Sequence, residues 1–306
     1  MPDVDLSAGT IHYEDSGGGG PVLVLTHGLL MDASMWDPVL AELRGDWRIV
    51  RPVLPLGAHP HPMHAGADLT MGGIASLLGE FLERLDLRDV TLGVTDWGGP
   101  IVFLAHGPRA QVERVARLVL LPCEAFDNVP PGLPGRIAGL AGWLPGGVRL
   151  AVEQLRVRRL RELPTHFGWM TRRGIPDHML HGWLAPARAQ PGVRRDVARY
   201  ARSGRKARPV LRAATEALAR FRGPALIVWA SEDRVMPPVH AHRLAALLPD
   251  SRLVEIPDAY TLLTIDQPAA VADAIHAFLT RQSELSNWGA GGRGRAPRAV
   301  IRSQDT

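Results

Sequence analysis

Residues 94–100 read V-T-D-W-G-G-P. The run V-T-L-G-V at 90–94 leads into them, and I-V-F-L-A at 101–105 follows. An apolar run that breaks at Asp-Trp-Gly-Gly and resumes at once reads as a strand, a sharp turn and a helix. Asp96 then stands at the carboxyl edge of a sheet, where ligand crevices form in open α/β sheets. Gly98 and Gly99 remove side chains where the turn must pack closely. The helix that starts near Trp97 points its free N–H groups at the same spot and favours an anion there. An aspartate can also simply cap such a helix. The rest of the chain has to decide between the two.

Working outward, residues 11–14 alternate like a strand, and the glycines at 17–20 form a turn or loop. Short apolar runs at 21–26, 47–54, 115–121, 225–229 and 252–256 read as buried strands. Between them, 69–87 shows helical spacing, with Ile74, Leu77, Leu78, Phe81, Leu82 and Leu85 on one face. Residues 271–279 read as the last long helix. Strands alternating with helices predict a mostly parallel sheet covered on both faces. From 126 to 219 the alternation breaks into short helical pieces rich in Pro, Gly, Arg and Trp. This predicts a helical cap inserted between two parts of an α/β core, at 1–125 and 220–282. The stretch 283–306, with G-A-G-G-R-G-R-A-P-R, has the composition of a flexible tail.

The 306 residues are 46% apolar, enough for a sizeable core. One cysteine, Cys123, excludes an internal disulfide. The start, M-P-D-V-D-L-S-A-G-T, has neither the basic nor the apolar stretch of a secretory signal, and no run approaches a membrane span. A soluble cytoplasmic protein is expected, with no membrane partner. The net charge is +4, carried almost wholly by arginine, with Lys206 the only lysine. That bias, with abundant Ala, Gly and Pro, reads as a base-composition effect. No nucleic-acid-binding motif accompanies it, so no nucleic acid is expected.

The turn resembles the nucleophile elbow of the α/β-hydrolase fold, with Asp where that fold often has Ser. His27-Gly28-Leu29 resembles the H-G loop that follows an early strand there. Ser231 to Pro237, S-E-D-R-V-M-P, resembles the loop that carries the triad acid. The order of loop, nucleophile, cap and acid is that of the fold, over about residues 10 to 280. D-W-G-G points to the haloalkane dehalogenase and epoxide hydrolase branch, whose members attack carbon with a carboxylate and form an alkyl ester. The resemblance implies an α/β-hydrolase fold, no cofactor and no metal. It makes Asp96 the nucleophile and Asp233 the acid, and puts Glu124 at an alternative acid position. It places the oxyanion hole at the N–H groups of Leu29 and Trp97, with the Trp97 indole ready to hold a leaving anion.

One part of that pattern is absent. Members carry a histidine five residues before D-Q-P in the last loop. Aligning on Asp266-Gln267-Pro268 puts Thr261 there, beside Tyr260. Neither serves as a general base near pH 7. His59, His61 and His64, in G-A-H-P-H-P-M-H, are candidates for a relocated base, with His166, His178 and His181 weaker ones. The H-G-x-P motif and the paired cap tyrosines of epoxide hydrolases are also missing; Tyr200 is the only tyrosine in the insertion. The expected pocket comprises His27, Trp97, Trp143, Trp169, Trp183, Tyr200, Tyr260 and Thr261, and suits a large, flat, hydrophobic small molecule. A homodimer is a further expected partner state. Three functions stay open. One is a non-hydrolytic enzyme of secondary metabolism using Asp96 for epoxide opening, cyclisation or C–C bond formation. The others are a hydrolase with a relocated base, and a binder without turnover.

Overall fold

The computed structural model describes residues 2–291, apart from the side chains of 205 and 282–291. Eight strands form one sheet: β1 (Asp3–Leu6), β2 (Gly9–Asp15), β3 (Val22–Leu25), β4 (Arg48–Pro52), β5 (Val90–Asp96), β6 (Val115–Cys123), β7 (Ala225–Ala230) and β8 (Ser251–Ile256). Their order is β1-β2-β4-β3-β5-β6-β7-β8. β1 and β2 pair antiparallel, as do β2 and β4, and every later pairing is parallel. The chain steps from β3 outward to β4, then returns to lay β5 on the other side of β3. That reversal opens a crevice beyond the carboxyl ends of β3 and β5.

The helices are α1 (Asp37–Glu42), α2 (Met71–Arg84), α3 (Gly99–His106), α4 (Arg109–Val112), α5 (Gly132–Trp143), α6 (Gly147–Arg156), α7 (Arg158–Arg161), α8 (Asp177–Ala189), α9 (Pro191–Ala217), α10 (Pro238–Leu247), α11 (Leu263–Asp266) and α12 (Pro268–Gly291). α2 starts at Thr70, whose hydroxyl accepts the Gly73 N–H, and buries Ile74, Leu77, Leu78, Phe81 and Leu82. β5 is buried at all seven positions, as a central strand covered on both faces must be. α5 to α9 fill the chain between β6 and β7.

α9 is fastened to the core. Asp196, fully buried, accepts the Met63 N–H (2.7 Å) and lies 3.4 Å from His59 Nε2. Arg199 donates to the carbonyls of Ala65 and Ala67. The outer part of the cap is different: Leu140, Trp143, Leu144 and Leu150 are exposed.

Two expectations change. β1 is an additional strand, hidden from pattern reading because D-V-D-L is only four residues long. α12 runs on to Gly291, so 283–291 is helix where a flexible tail was expected; residues 292–306 lie outside the described residues. Among the described residues no helix is long and apolar enough to cross a membrane.

Candidate active site

β5 ends at Asp96, whose backbone turns left-handed at φ 57°. A side chain in that region costs about 1–2 kcal/mol. The elbow holds because β5 and β6 pair Asp96 with Cys123 and because the Asp96 carbonyl accepts the Glu124 N–H (3.0 Å). Three residues on, α3 begins with Gly99 and Pro100, where a missing proline N–H costs nothing. Gly99 has a steric purpose: a Cβ there would stand 1.9 Å from the Trp97 ring.

Asp96 Oδ2 accepts the Leu29 N–H at 3.2 Å. The Trp97 N–H does not join it, since it donates to the Thr95 carbonyl at 2.6 Å. The expected pair of oxyanion donors is therefore half formed. Burial pushes the Asp96 carboxyl up to about 6, against the opposing pull of the Leu29 N–H. Glu124 lies alongside. Its Oε2 accepts the Gly98 N–H at the start of α3 (3.2 Å). Burial first, and the Asp96 charge to a smaller extent, push Glu124 up to about 8. The Tyr200 hydroxyl, reaching in from α9, is raised well above its usual range by burial and by the same two carboxylates. It lies against the Trp97 indole, yet the buried indole N–H finds no well-oriented acceptor.

Asp96, Trp97, Glu124 and Tyr200 share the wall of one cavity of about 130 Å³ under the cap. Otherwise the wall is largely apolar, with Leu155, Phe167 and Met170 prominent. An apolar cavity of about 150 Å³ holds one benzene, so this space suits a molecule of roughly six heavy atoms.

The acid loop lies behind that wall. Asp233 Oδ1 accepts the Val235 and Met236 N–H groups and the Thr261 hydroxyl, each at 2.8 Å. Thr261 thus occupies the place of a base held by the acid, and is itself fully buried. Burial raises Asp233 to about 7, and its Oδ2 has no partner. Thr261→Val is expected to destabilise the fold by about 1–2 kcal/mol, because it leaves a buried carboxyl short of a donor. Urea unfolding at pH 7 reads this, and an unchanged midpoint would show the bond to be idle.

The other expected site residues go elsewhere. His27 is buried behind the loop: its Nδ1–H donates to the Gly28 carbonyl and its Nε2 accepts the Leu54 N–H. It shapes the turn that carries Leu29 and does not line the pocket. Trp143 is 60% exposed beside Arg202, because its helix turns that face outward. Trp183 is buried and donates to Ser34 Oγ, joining cap to core. Trp169 packs against the core away from the cavity. The Tyr260 ring sits under Arg234 and Arg172, and neither it nor Thr261 reaches the cavity. The histidine cluster also divides. His59 is held by Gly57 and Asp196, His61 faces Asp3 at the surface, and His64 is exposed. None of the three lines the cavity. Sequence reading gave too little weight to His166, which does line it; T-H-F in an irregular stretch offers no periodicity to place it.

Comparison with known proteins agrees with this architecture. The Alpha/beta hydrolase family matches residues 23–274. Haloalkane dehalogenase 2 of Mycobacterium tuberculosis is 30% identical over 286 residues, covering 89% of this chain and 92% of that one. The haloalkane dehalogenase DbeA-M1 loop variant from Bradyrhizobium elkanii superposes with a TM-score of 0.75 at 16% identity, over 93% of this chain and 98% of that one. A thermophilic esterase from Thermogutta terrifontis gives a TM-score of 0.66 at 24% identity, over 92% and 99%. With a left-handed aspartate at the elbow, a cap over it and a relative of this identity along most of its length, the chain belongs to the α/β hydrolase family of enzymes, in its haloalkane dehalogenase-like branch.

Proposed function

We propose that the chain is a cofactor-independent enzyme that opens a small apolar electrophile, an alkyl halide or an epoxide, with Asp96 as the attacking carboxylate. The observation that carries this is Asp96 on the wall of an apolar cavity, with Leu29 N–H on one oxygen and a free indole N–H beside it. Attack forms a bond from an Asp96 oxygen to carbon. The carbon–halogen bond breaks with its electron pair on the halide, which the Trp97 N–H receives. With an epoxide, the ring C–O bond breaks instead and the alkoxide takes a proton from Glu124. Either way Asp96 becomes an alkyl ester. The cavity volume favours a small substrate over the large, flat molecule that the cap tryptophans suggested. The name of the mycobacterial relative points to the same electrophile class.

A second reading has Asp96 moving a proton in a non-hydrolytic rearrangement or cyclisation. Its position near 6 favours this, since such a group exchanges protons readily at neutral pH.

The two readings part in one experiment: intact-protein mass after exposure to small bromoalkanes and epoxides. An adduct on Asp96, or halide or diol released without one, supports carboxylate attack, and neither adduct nor product with any electrophile defeats it. The rate has a set pH dependence. Attack needs the ionised carboxyl, so adduct formation from a bromoalkane is expected to rise through about pH 6 and then level off. With an epoxide it is expected to fall again above about pH 8, as Glu124 loses the proton it must give. Rates that stay flat from pH 5 to 9 would remove both carboxyls from the mechanism.

A further inference from the structure

We propose that His166, in the cap, is the base that hydrolyses the Asp96 ester. This rests on the reading of Asp96 as nucleophile and adds the step that completes turnover.

Twelve histidines occur in the chain, and His166 is the one on the cavity wall. Its Nδ1 lies 2.8 Å from Thr165 Oγ1. Its Nε2 is buried and has no partner. A buried polar atom left unpaired calls for an explanation, and a catalytic role is one of the few available. Among the described residues, the orphaned side-chain atoms of this cavity are His166 Nε2 from the cap and Trp97 Nε1 from the elbow. The Thr165 contact suits a base. If Nδ1–H donates to Thr165 Oγ1, the lone pair sits on Nε2, the nitrogen left without a partner.

Burial keeps His166 below the usual imidazole range, so it is neutral and able to accept a proton at pH 7. The titratable groups that share its cavity are Asp96, Glu124 and Tyr200. Among the described residues no carboxylate is paired with the ring, and esterified Asp96 carries no charge.

The step balances as follows. A water oxygen attacks the ester carbon of Asp96, and its proton passes to His166 Nε2. The tetrahedral intermediate collapses, the bond from Asp96 to the substrate oxygen breaks, and the alkoxide recovers the proton from Nε2. Asp96 returns as a carboxylic acid holding one oxygen from water, and the second water proton leaves to solvent as it ionises for the next cycle. The base works from the cap side of the ester, opposite the last loop where Thr261 now fills the position aligned with D-Q-P.

The test uses 1-bromobutane with wild type and His166→Asn, following bromide release and intact mass together. Wild type is expected to turn over. His166→Asn is expected to release one equivalent of bromide, keep the butyl adduct on Asp96, and turn over at least about 100-fold more slowly. The single-equivalent burst itself shows that the variant is folded. Turnover within threefold of wild type overturns the proposal. So does a wild type that also stalls as the full adduct, which leaves the nucleophile reading standing. No bromide from either protein overturns both. Two further measurements, one on wild type and one on a second pair of variants, cover the case of a misfolded His166→Asn. Adduct decay is expected to hold its plateau below pH 6.5 and to fall only in more acid solution, and a pH-independent decay rate counts against His166. In a Thr165→Val and Thr165→Ser pair, serine alone is expected to keep the wild-type decay rate, because it alone keeps the hydroxyl that orients the ring.

Discussion

Asp96→Asn is expected to abolish adduct formation and, at pH 8, to make the protein harder to unfold. The loss of activity is about 10⁴-fold or more, the scale on which removal of a nucleophile acts. The gain in stability follows from burial. The carboxyl stands near 6 in the folded chain against 3.8 when solvated. The folded state therefore holds the proton more tightly than the unfolded state does. That stabilisation is complete below pH 3.8 and is lost as the pH rises through about 6. At pH 8 the folded chain carries a buried charge that costs about 3 kcal/mol, and a neutral amide of the same shape does not. Thermal unfolding of both proteins at pH 5 and pH 8 measures this. The variant should gain at pH 8 and lose about half of that gain at pH 5. A variant less stable at both pH values would show that the carboxylate is welcome in its site, and the proposed origin of its shift would be wrong.

Gly28→Ala should damage the same centre from the opposite side. A Cβ at position 28 would lie 2.0 Å from Asp96 Oδ2 and 2.6 Å from Asp96 Cβ. Neither side has room to yield. Asp96 is fixed by its pairing to Cys123, and the loop is fixed by His27 between Gly28 and Leu54. Overpacking of this kind costs about 1–3 kcal/mol. The kinetic loss is larger, because a displacement of about 1 Å in a reacting group costs about 100-fold. Adduct formation with a bromoalkane, read beside the melting temperature, separates the two effects. An alanine variant within threefold of wild type would mean that the loop and the nucleophile are not in contact.

The sequence made the elbow legible because one strand, one aspartate and two glycines must stand in that order for the turn to form. Asp233 and Thr261 could be placed for a similar reason: both lie in short loops anchored by flanking strands and by D-Q-P. The pocket was less readable. Trp143, Trp169 and Trp183 are apolar residues in short, proline-broken helices, and composition alone does not say which face turns inward. Trp143 ended at the surface, while Trp183 became a bridge from cap to core. The three loop histidines drew attention because they are close in sequence. Only contacts across the fold, between His59 and Asp196 and between His61 and Asp3, show that each is engaged elsewhere.

Asp196 and Arg199 tie α9 to the loop after β4, and this gives the cap two unequal halves. α9 carries Tyr200 and behaves as part of the floor. α5 packs back onto α9, where Arg202 donates to the Gly142 carbonyl, while Leu140, Trp143 and Leu150 of α5 and α6 turn outward. Tolerance should therefore be unequal across the cap. Substitutions on the outward faces of α5 and α6 should leave the bond-breaking rate unchanged, whereas those on the face of α9 that carries Tyr200 should not.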